Sequence, residues 1–362
     1  MFHNLLLFAG GLVALVLGAD ALVRGASRLA FALGISPLVV GLTIVAFGTS
    51  APEMAVTVGA VAQGSTDLAV ANAVGSNTFN VLGILGLAAI ITPLLVNVQV
   101  IRQEAPIMTG GGVLLLLLSV DGMLSLFDSA LLLLLLLAYT VFLVRQSRAE
   151  TAAAQAGYGH LGNGADASGP WHHRPVVQAG LVLAGLALLV GGSHAMVTAA
   201  VGFATALGVS EVVIGLTIVA IGTSLPEVAA SLAAALKGER DMAVGNVVGS
   251  CTFNIFGVIG LGGVTAVLAG AGGLPVPESV RALDLWVMLA ALFACLPVFF
   301  SGREISRWEG LLFVLAYAAY TVFLLLQARG SAWLPGFSEL MLAYVLPLAL
   351  VAVVGAVLRK GH

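Results

Sequence analysis

Two glutamates stand in otherwise apolar sequence, each in the same six-residue frame: Glu53 closes GTSAPE and Glu227 closes GTSLPE. A carboxylate deep in an apolar run costs about 2.5–3.5 kcal/mol on membrane-insertion scales, so it needs a polar or cationic partner. Helical spacing supplies oxygens. Thr49 and Ser50 precede Glu53 by four and three residues, and Thr223 and Ser224 precede Glu227 in the same way, so each hydroxyl pair shares its glutamate's helix face. A second motif follows each glutamate: GSNTFN holds Ser76 and Asn80, and GSCTFN holds Ser250 and Asn254, again four apart. Every one of these side chains offers a hard oxygen, with no thiolate or imidazole among them. That set suits Ca²⁺, Na⁺ or a related hard cation rather than Zn²⁺ or Cu⁺. Pro52 and Pro226 add backbone oxygens, because a proline has no N–H for the carbonyl four residues earlier, at Gly48 or Gly222. Each helix is expected to break there and turn carbonyls toward a cavity at mid-membrane.

These frames belong to a duplication. Residues 38–87 align without a gap on residues 212–261, with 28 identities in 50 positions at an offset of 174. AYTVFL occurs at Ala138 and again at Ala319, an offset of 181, so about seven residues entered between the two motifs. Of the 362 residues, 60% are hydrophobic and 9% are charged. An average soluble domain carries about 25% charged residues. With 45 glycines and a mean hydropathy of +1.11, this composition excludes a soluble enzyme and describes a helical membrane protein in a lipid bilayer. A formal charge of -3 gives no reason to expect a nucleic-acid partner. Cys251 and Cys295 both lie in apolar stretches and read as small core residues, with no disulfide framework and no zinc pattern.

Apolar segments fall at 2–23, 37–62, 68–92, 105–120, 126–144, 175–200, 211–236, 242–268, 283–300, 308–327 and 338–358, which makes eleven candidate spans. No Lys or Arg precedes Arg24, so the first run lacks the basic leader of a signal peptide and reads as a membrane helix. The organisation expected is a five-helix repeat over 1–145, a cytoplasmic hinge loop over 146–174, a second five-helix repeat over 175–330, and an additional helix and tail over 331–362. With the N-terminus outside, Arg24, Arg28, Arg102, Arg145, Arg148, Arg174, Lys237, Arg240, Arg303, Arg307, Arg359 and Lys360 face inward. Only Arg281 and Arg329 are left outside, a division of 12 to 2 among the 14 basic residues. An odd helix number per half makes the second copy enter from the opposite side, so the repeats are inverted, an architecture of secondary transporters with a midplane site.

GTSAPE with GSNTFN, and GTSLPE with GSCTFN, resemble the two alpha-repeats of the Ca²⁺/cation antiporter superfamily, particularly its prokaryotic sodium/calcium exchangers. The resemblance spans roughly residues 1–330. It implies an all-α integral membrane fold with a ten-helix core of two inverted repeats, in a prokaryotic inner membrane. It also implies that the first and sixth spans slide against the core. Carried onto matching positions, the cation ligands are Glu53, Glu227, Asn80, Asn254, Thr49, Ser50, Thr223, Ser224, Ser76 and Ser250, with the carbonyls of Ala46 and Ala220. The transported ions implied are Ca²⁺ and Na⁺, with no cofactor. Two features depart from the pattern. Family members with the best-described site carry Asp where this chain has Asn254, so only two carboxylates remain and a three-for-one exchange does not carry over. The span at 338–358 is also extra to a ten-helix core.

Two antiport readings follow, Ca²⁺ against Na⁺ and Ca²⁺ against H⁺, separated by the driving ion. An intramembrane enzyme is disfavoured, since neither HExxH nor a GxSG nucleophile context occurs. Two discrete carboxylate-centred sites disfavour a passive channel. Asp20 and His194 occupy matching repeat positions toward helix ends and read as interfacial residues. Asp128 and Glu309 match at the offset of 181 and are expected to favour the N-termini of the fifth and tenth spans. His172 and His173, beside Trp171, read as part of a solvated loop.

Overall fold

The computed structural model describes residues 2–33, 35–158, 175–206, 220–300, 302–341 and 343. Long apolar sequence in lipid leaves the backbone only its own hydrogen-bond partners, and the chain accordingly forms helices connected by short turns. The first five are α1 (Phe2–Leu33), α2 (Pro37–Ala62), α3 (67–91), α4 (100–118) and α5 (Leu126–Tyr158). The second set is α6 (Pro175–Ala206), α7 (described from Ala220 to Leu236), α8 (Arg240–Leu268), α9 (Val280–Phe300) and α10 (Arg307–Ala328). A short helix, α11 (Leu334–Leu340), follows. Most of the extra span expected at 338–358 lies outside the described residues, as do His172, His173 and the rest of the hinge beyond Tyr158. The hinge's first part is helical, because α5 continues through Tyr158. The Ala-rich run AETAAAQA explains the continuation, alanine being the strongest helix former.

Caps set where the helices begin. Ser36 accepts the Val39 N–H at 3.2 Å and places Pro37 in the first turn of α2, where its missing N–H costs nothing. Asp128 and Glu309 do act at N-termini, through reciprocal capping boxes. Ser125 and Asp128 bond at 2.7 Å between side chains, and Ser306 and Glu309 at 2.6 Å. The tight turns after α2 and α7 each use a glycine with positive φ, Gly64 at 83° and Gly238 at 82°.

Packing interlocks the two halves. α10 lies on α3, where a Cβ on Gly86 would come within 2.8 Å of the Gly310 carbonyl, and α5 lies on α8. Two short antiparallel ladders also join first-half to second-half strands: β1 (Leu94–Leu95) with β4 (Glu304–Ile305), and β2 (Met123–Leu124) with β3 (Leu274–Pro275). α1 runs antiparallel to α6 along a glycine seam. Gly11 meets Gly192, Gly18 meets Gly185 and Gly25 meets Gln178, a heptad spacing that keeps one stripe of each helix in contact. A Cβ on Gly18 would stand 2.9 Å from the Gly185 carbonyl oxygen, so only glycine permits this approach.

The repeated AYTVFL motif has a structural role. Tyr139 donates to buried Glu104 at 2.7 Å, tying α5 to α4, and Tyr320 donates to Asp284 at 2.6 Å, tying α10 to α9. The outer face exposes Leu117, Leu134, Leu137, Leu311 and Leu315, as a lipid-facing surface requires. Cys251 and Cys295 are free and fully buried, as small core residues.

Candidate cation site

Both helices that carry a GTS-x-PE motif break, and they do so at equivalent serines. α2 divides into α2a (37–49) and α2b (Ala51–Ala62) at Ser50, whose φ and ψ are −81° and −1°. α7 divides into α7a (Ala220–Thr223) and α7b (Leu225–Leu236) at Ser224, with φ −93° and ψ 9°. The cause is the one the prolines supply, since neither Pro52 nor Pro226 can close the preceding helical turn. The freed carbonyls do not all turn to a cavity. Gly222 accepts the Ser193 hydroxyl of α6 at 2.7 Å, so that oxygen holds two helices together. The Ala46 carbonyl accepts the Ser50 N–H at 3.0 Å, which still leaves it a second lone pair. In α7 the matching Ser224 N–H goes to Ile221 at 3.2 Å, closing a tighter turn than in α2.

Each break places its glutamate in the first turn of the helix that follows. Glu53 and Glu227 are both 0% exposed, and the two halves serve them crosswise. Ser50 donates to Glu227 Oε1 at 3.4 Å, and Ser224 donates to Glu53 Oε1 at the same 3.4 Å. Ser224 also reaches Ser76 Oγ at 3.4 Å, and Thr49 Oγ1 lies 3.4 Å from Ser250 Oγ. The fold thus brings Thr49, Ser50, Glu227 and Ser250 into one hydrogen-bonded group and Glu53, Ser76 and Ser224 into another, the two groups being joined by the charge interaction between the glutamates. Thr223 is half-buried at the end of α7a, beside the broken turn.

Asn80 and Asn254 sit in π-helical turns, 79–85 of α3 and Asn254–Val258 of α8, the local widening often found at functional positions. Both are buried, and neither the oxygen nor the nitrogen of either amide has a hydrogen-bond partner. Glu53 Oε2 and Glu227 Oε2 are likewise buried without partners. Among the described residues, no salt bridge reaches either glutamate. Two carboxylates and several hydroxyls, buried together with unpaired carboxylate oxygens, form a set that a hard cation would satisfy, and the turns that carry the two unpartnered amides pack on the glutamate helices, that of Asn80 on α7b and that of Asn254 on α2b. The spacing agrees. Hydroxyl–oxygen hydrogen bonds favour about 2.7–2.8 Å, whereas neighbouring oxygens of an octahedron about 2.4 Å from a central cation stand about 3.4 Å apart.

One group was not singled out from the sequence. Asn246 donates through Nδ2 to Ser231 Oγ at 2.8 Å and accepts Thr49 Oγ1–H at 3.3 Å. The sequence carried a signal for it: Asn72 and Asn246 each stand four residues before the motif serine, in both copies. Asp20, read from the sequence as interfacial, pairs with Arg24 at 2.9 Å and with Lys237 at 2.6 Å.

The comparisons with known proteins agree with this architecture. The sodium/calcium exchanger protein family matches residues 3–145 and again 177–326. A protein called CaxA from Alkalimonas amylolytica is 40% identical over 334 residues, covering 87% of this chain and 96% of its own. The inner membrane protein YrbG of Escherichia coli K12 is 40% identical over 201 residues, covering 54% of this chain and 59% of its own. A structure of the sodium-calcium exchanger NCX_Mj, soaked with Na⁺ and Sr²⁺, superposes with a TM-score of 0.73 at 29% identity, over 88% of this chain and 97% of that one. The duplicated motif pair, the interlocked helical halves and the two-part match together place this chain in the sodium/calcium exchanger family, as an integral membrane cation transporter and not an enzyme.

Proposed function

We propose that the protein exchanges Ca²⁺ for Na⁺ across the membrane, by alternating access to the site between Glu53 and Glu227. The observation that carries this reading is the reciprocal burial of the two carboxylates, each 0% exposed and each bonded to a serine from the other half. Two negative charges balance one Ca²⁺ or two Na⁺, so a single site can hold either cargo in turn and couple their movements. The ligands are Glu53, Glu227, Thr49, Ser50, Thr223, Ser224, Ser76 and Ser250, the amide oxygens of Asn80 and Asn254, and the carbonyls of Ala46 and Ala220. An amide coordinates through its oxygen without adding charge. Likeness to a sodium-calcium exchanger of known structure supports Na⁺ as the driving ion.

The two repeats, 1–145 and 175–330, form the transport unit, linked through 146–174. The basic residues orient it with the N-terminus outside and the hinge and C-terminus cytoplasmic, in a prokaryotic inner membrane. Relatedness to an inner membrane protein of Escherichia coli supports that location.

The test is ⁴⁵Ca²⁺ uptake into proteoliposomes under an imposed Na⁺ gradient, then under a pH gradient, then with neither. The expected result is uptake that follows the Na⁺ gradient alone. Uptake driven only by the pH gradient would make it a Ca²⁺/H⁺ antiporter, and equal uptake in all three would remove coupled exchange.

A further inference from the structure

Thr49 can ligate a cation only through a lone pair, with its proton turned elsewhere. Four acceptors lie within reach of that proton: the Ala46 carbonyl at 3.4 Å, Ser250 Oγ at 3.4 Å, Asn246 Oδ1 at 3.3 Å and the Glu227 carboxylate. The Ala46 carbonyl, Ser250 and Glu227 are themselves ligands in the exchange reading, and a proton given to any of them would occupy an oxygen the cation needs. Asn246 is the acceptor outside the ligand set. It is 1% exposed, and its own orientation is fixed, because Nδ2 donates at 2.8 Å to Ser231 Oγ, one turn beyond Glu227 on α7b. Turning the amide over would lose that donor and aim an N–H at Thr49.

We infer that Asn246 is a positioning residue for cation binding. It takes the Thr49 proton, leaves the oxygens of Thr49, Ala46 and Ser250 to the ion, and ties Thr49 on α2a to the helix that carries Glu227. This inference rests on the exchange reading above. The duplicate position shows what the anchor adds. Asn72 and Thr57 stand where the second half has Asn246 and Ser231, yet there Asn72 Nδ2 and Thr57 Oγ1 are both buried without a partner. The amide–hydroxyl anchor is made in one half only.

The experiment measures ion affinity without relying on transport, as the rise in melting temperature of the purified full-length protein when Ca²⁺, and separately Na⁺, is titrated. Asn246→Leu is expected to weaken affinity about tenfold, the effect of one buried hydrogen bond. Thr49→Val is expected to weaken it at least as much, and Thr49→Val/Asn246→Leu no further than Thr49→Val alone. Residues acting through one another are non-additive in such a cycle. Ser231→Ala, which removes only the amide's anchor, is expected to give a smaller loss that Thr49→Val again absorbs; it carries the cycle should Asn246→Leu not fold. Multiplying fold-changes, with a parent that ions stabilise and a Glu53→Gln variant that they do not, would overturn the role of Asn246 and leave the central site standing. A parent stabilised by neither ion, or Glu53→Gln stabilised like the parent, would remove the site and this inference together.

Discussion

The two halves are nearly interchangeable at the ligand motifs and differ within about three helical turns of them. Ser50 reaches Glu227 and Ser224 reaches Glu53 at the same 3.4 Å. Beyond that centre, α7b ends in Lys237, whose ammonium pairs with Asp20 of α1 and also donates to the Asp20 carbonyl at 3.0 Å. At the matching end of α2b stands Gln63, which donates to the Gly59 carbonyl of its own helix at 3.0 Å, and the counterpart of Asp20 is His194. The Asn246–Ser231 bond is one-sided in the same way. In the exchange reading the duplicated motifs give the ion equivalent oxygens from both halves. On that reading access to one side at a time calls for the halves to differ, because halves in the same arrangement would open or close both sides of the membrane together.

The largest expected effect breaks the symmetric part. Glu53→Gln and Glu227→Gln should each abolish Ca²⁺ exchange in proteoliposomes while leaving a folded, membrane-inserted protein, since each removes half of the site's charge. Near-parental exchange by either variant would show that the two glutamates are not equivalent and would remove that one from the site.

Next is the seam joining the first helix of each half. Gly18→Leu places a side chain where a Cβ already meets the Gly185 carbonyl and the Leu188 Cβ at 2.9 Å. Overpacking of this kind costs about 1–3 kcal/mol. Gly10→Leu, at a position with nothing within 4 Å, is the control. Thermal unfolding in detergent should separate them clearly, and equal melting temperatures would show that α1 and α6 do not depend on close backbone contact.

Smaller effects are expected at the duplicated capping boxes. Ser125→Ala and Ser306→Ala should each lower stability by about 1 kcal/mol, and by similar amounts, because both boxes are complete. A loss confined to one would make the peripheral helices as unequal as the ends of α2b and α7b.

The smallest expected change makes the halves more alike. Lys237→Gln installs the first-half residue and removes the Asp20 pair, which is partly exposed, with side-chain accessibilities of 29% and 37%. A pair of that exposure contributes about 0.2–1 kcal/mol, less at high salt. A melting temperature lowered at low ionic strength and converging with the parent at high ionic strength is the expected signature. A salt-independent loss would assign the effect to packing of the lysine stem.

Much of the site was legible because its chemistry repeats. A buried carboxylate, two hydroxyls at helical spacing and a proline recur at one offset, and duplicated polar residues in apolar sequence have few reasons to persist in pairs. Asn246 was visible in the same alignment, but its role depends on Ser231 and Thr49, which lie on two other elements. The carboxylates of Glu104 and Asp284 escaped notice for a similar reason, since each is satisfied by a tyrosine 35 or 36 residues further along the chain. The fate of the Gly222 carbonyl was also hidden. Proline chemistry determines that it loses its helical partner, while only the approach of α6 decides that Ser193 takes it.

The sequence by itself determined the membrane-helical class, the duplication, the break after each GTS motif and the hard-oxygen character of the site. These follow from composition, periodicity and covalent chemistry, which act within a few helical turns. Tertiary structure alone decided that each serine serves the glutamate of the other half, that glycines at heptad spacing bring α1 against α6, and that one half carries an amide anchor and an ion pair which the other lacks. Those outcomes depend on which helices meet and at what separation, and neighbours as far apart in the chain as Ser224 from Glu53 (171 residues) or Lys237 from Asp20 (217 residues) leave no periodicity that one sequence can reveal.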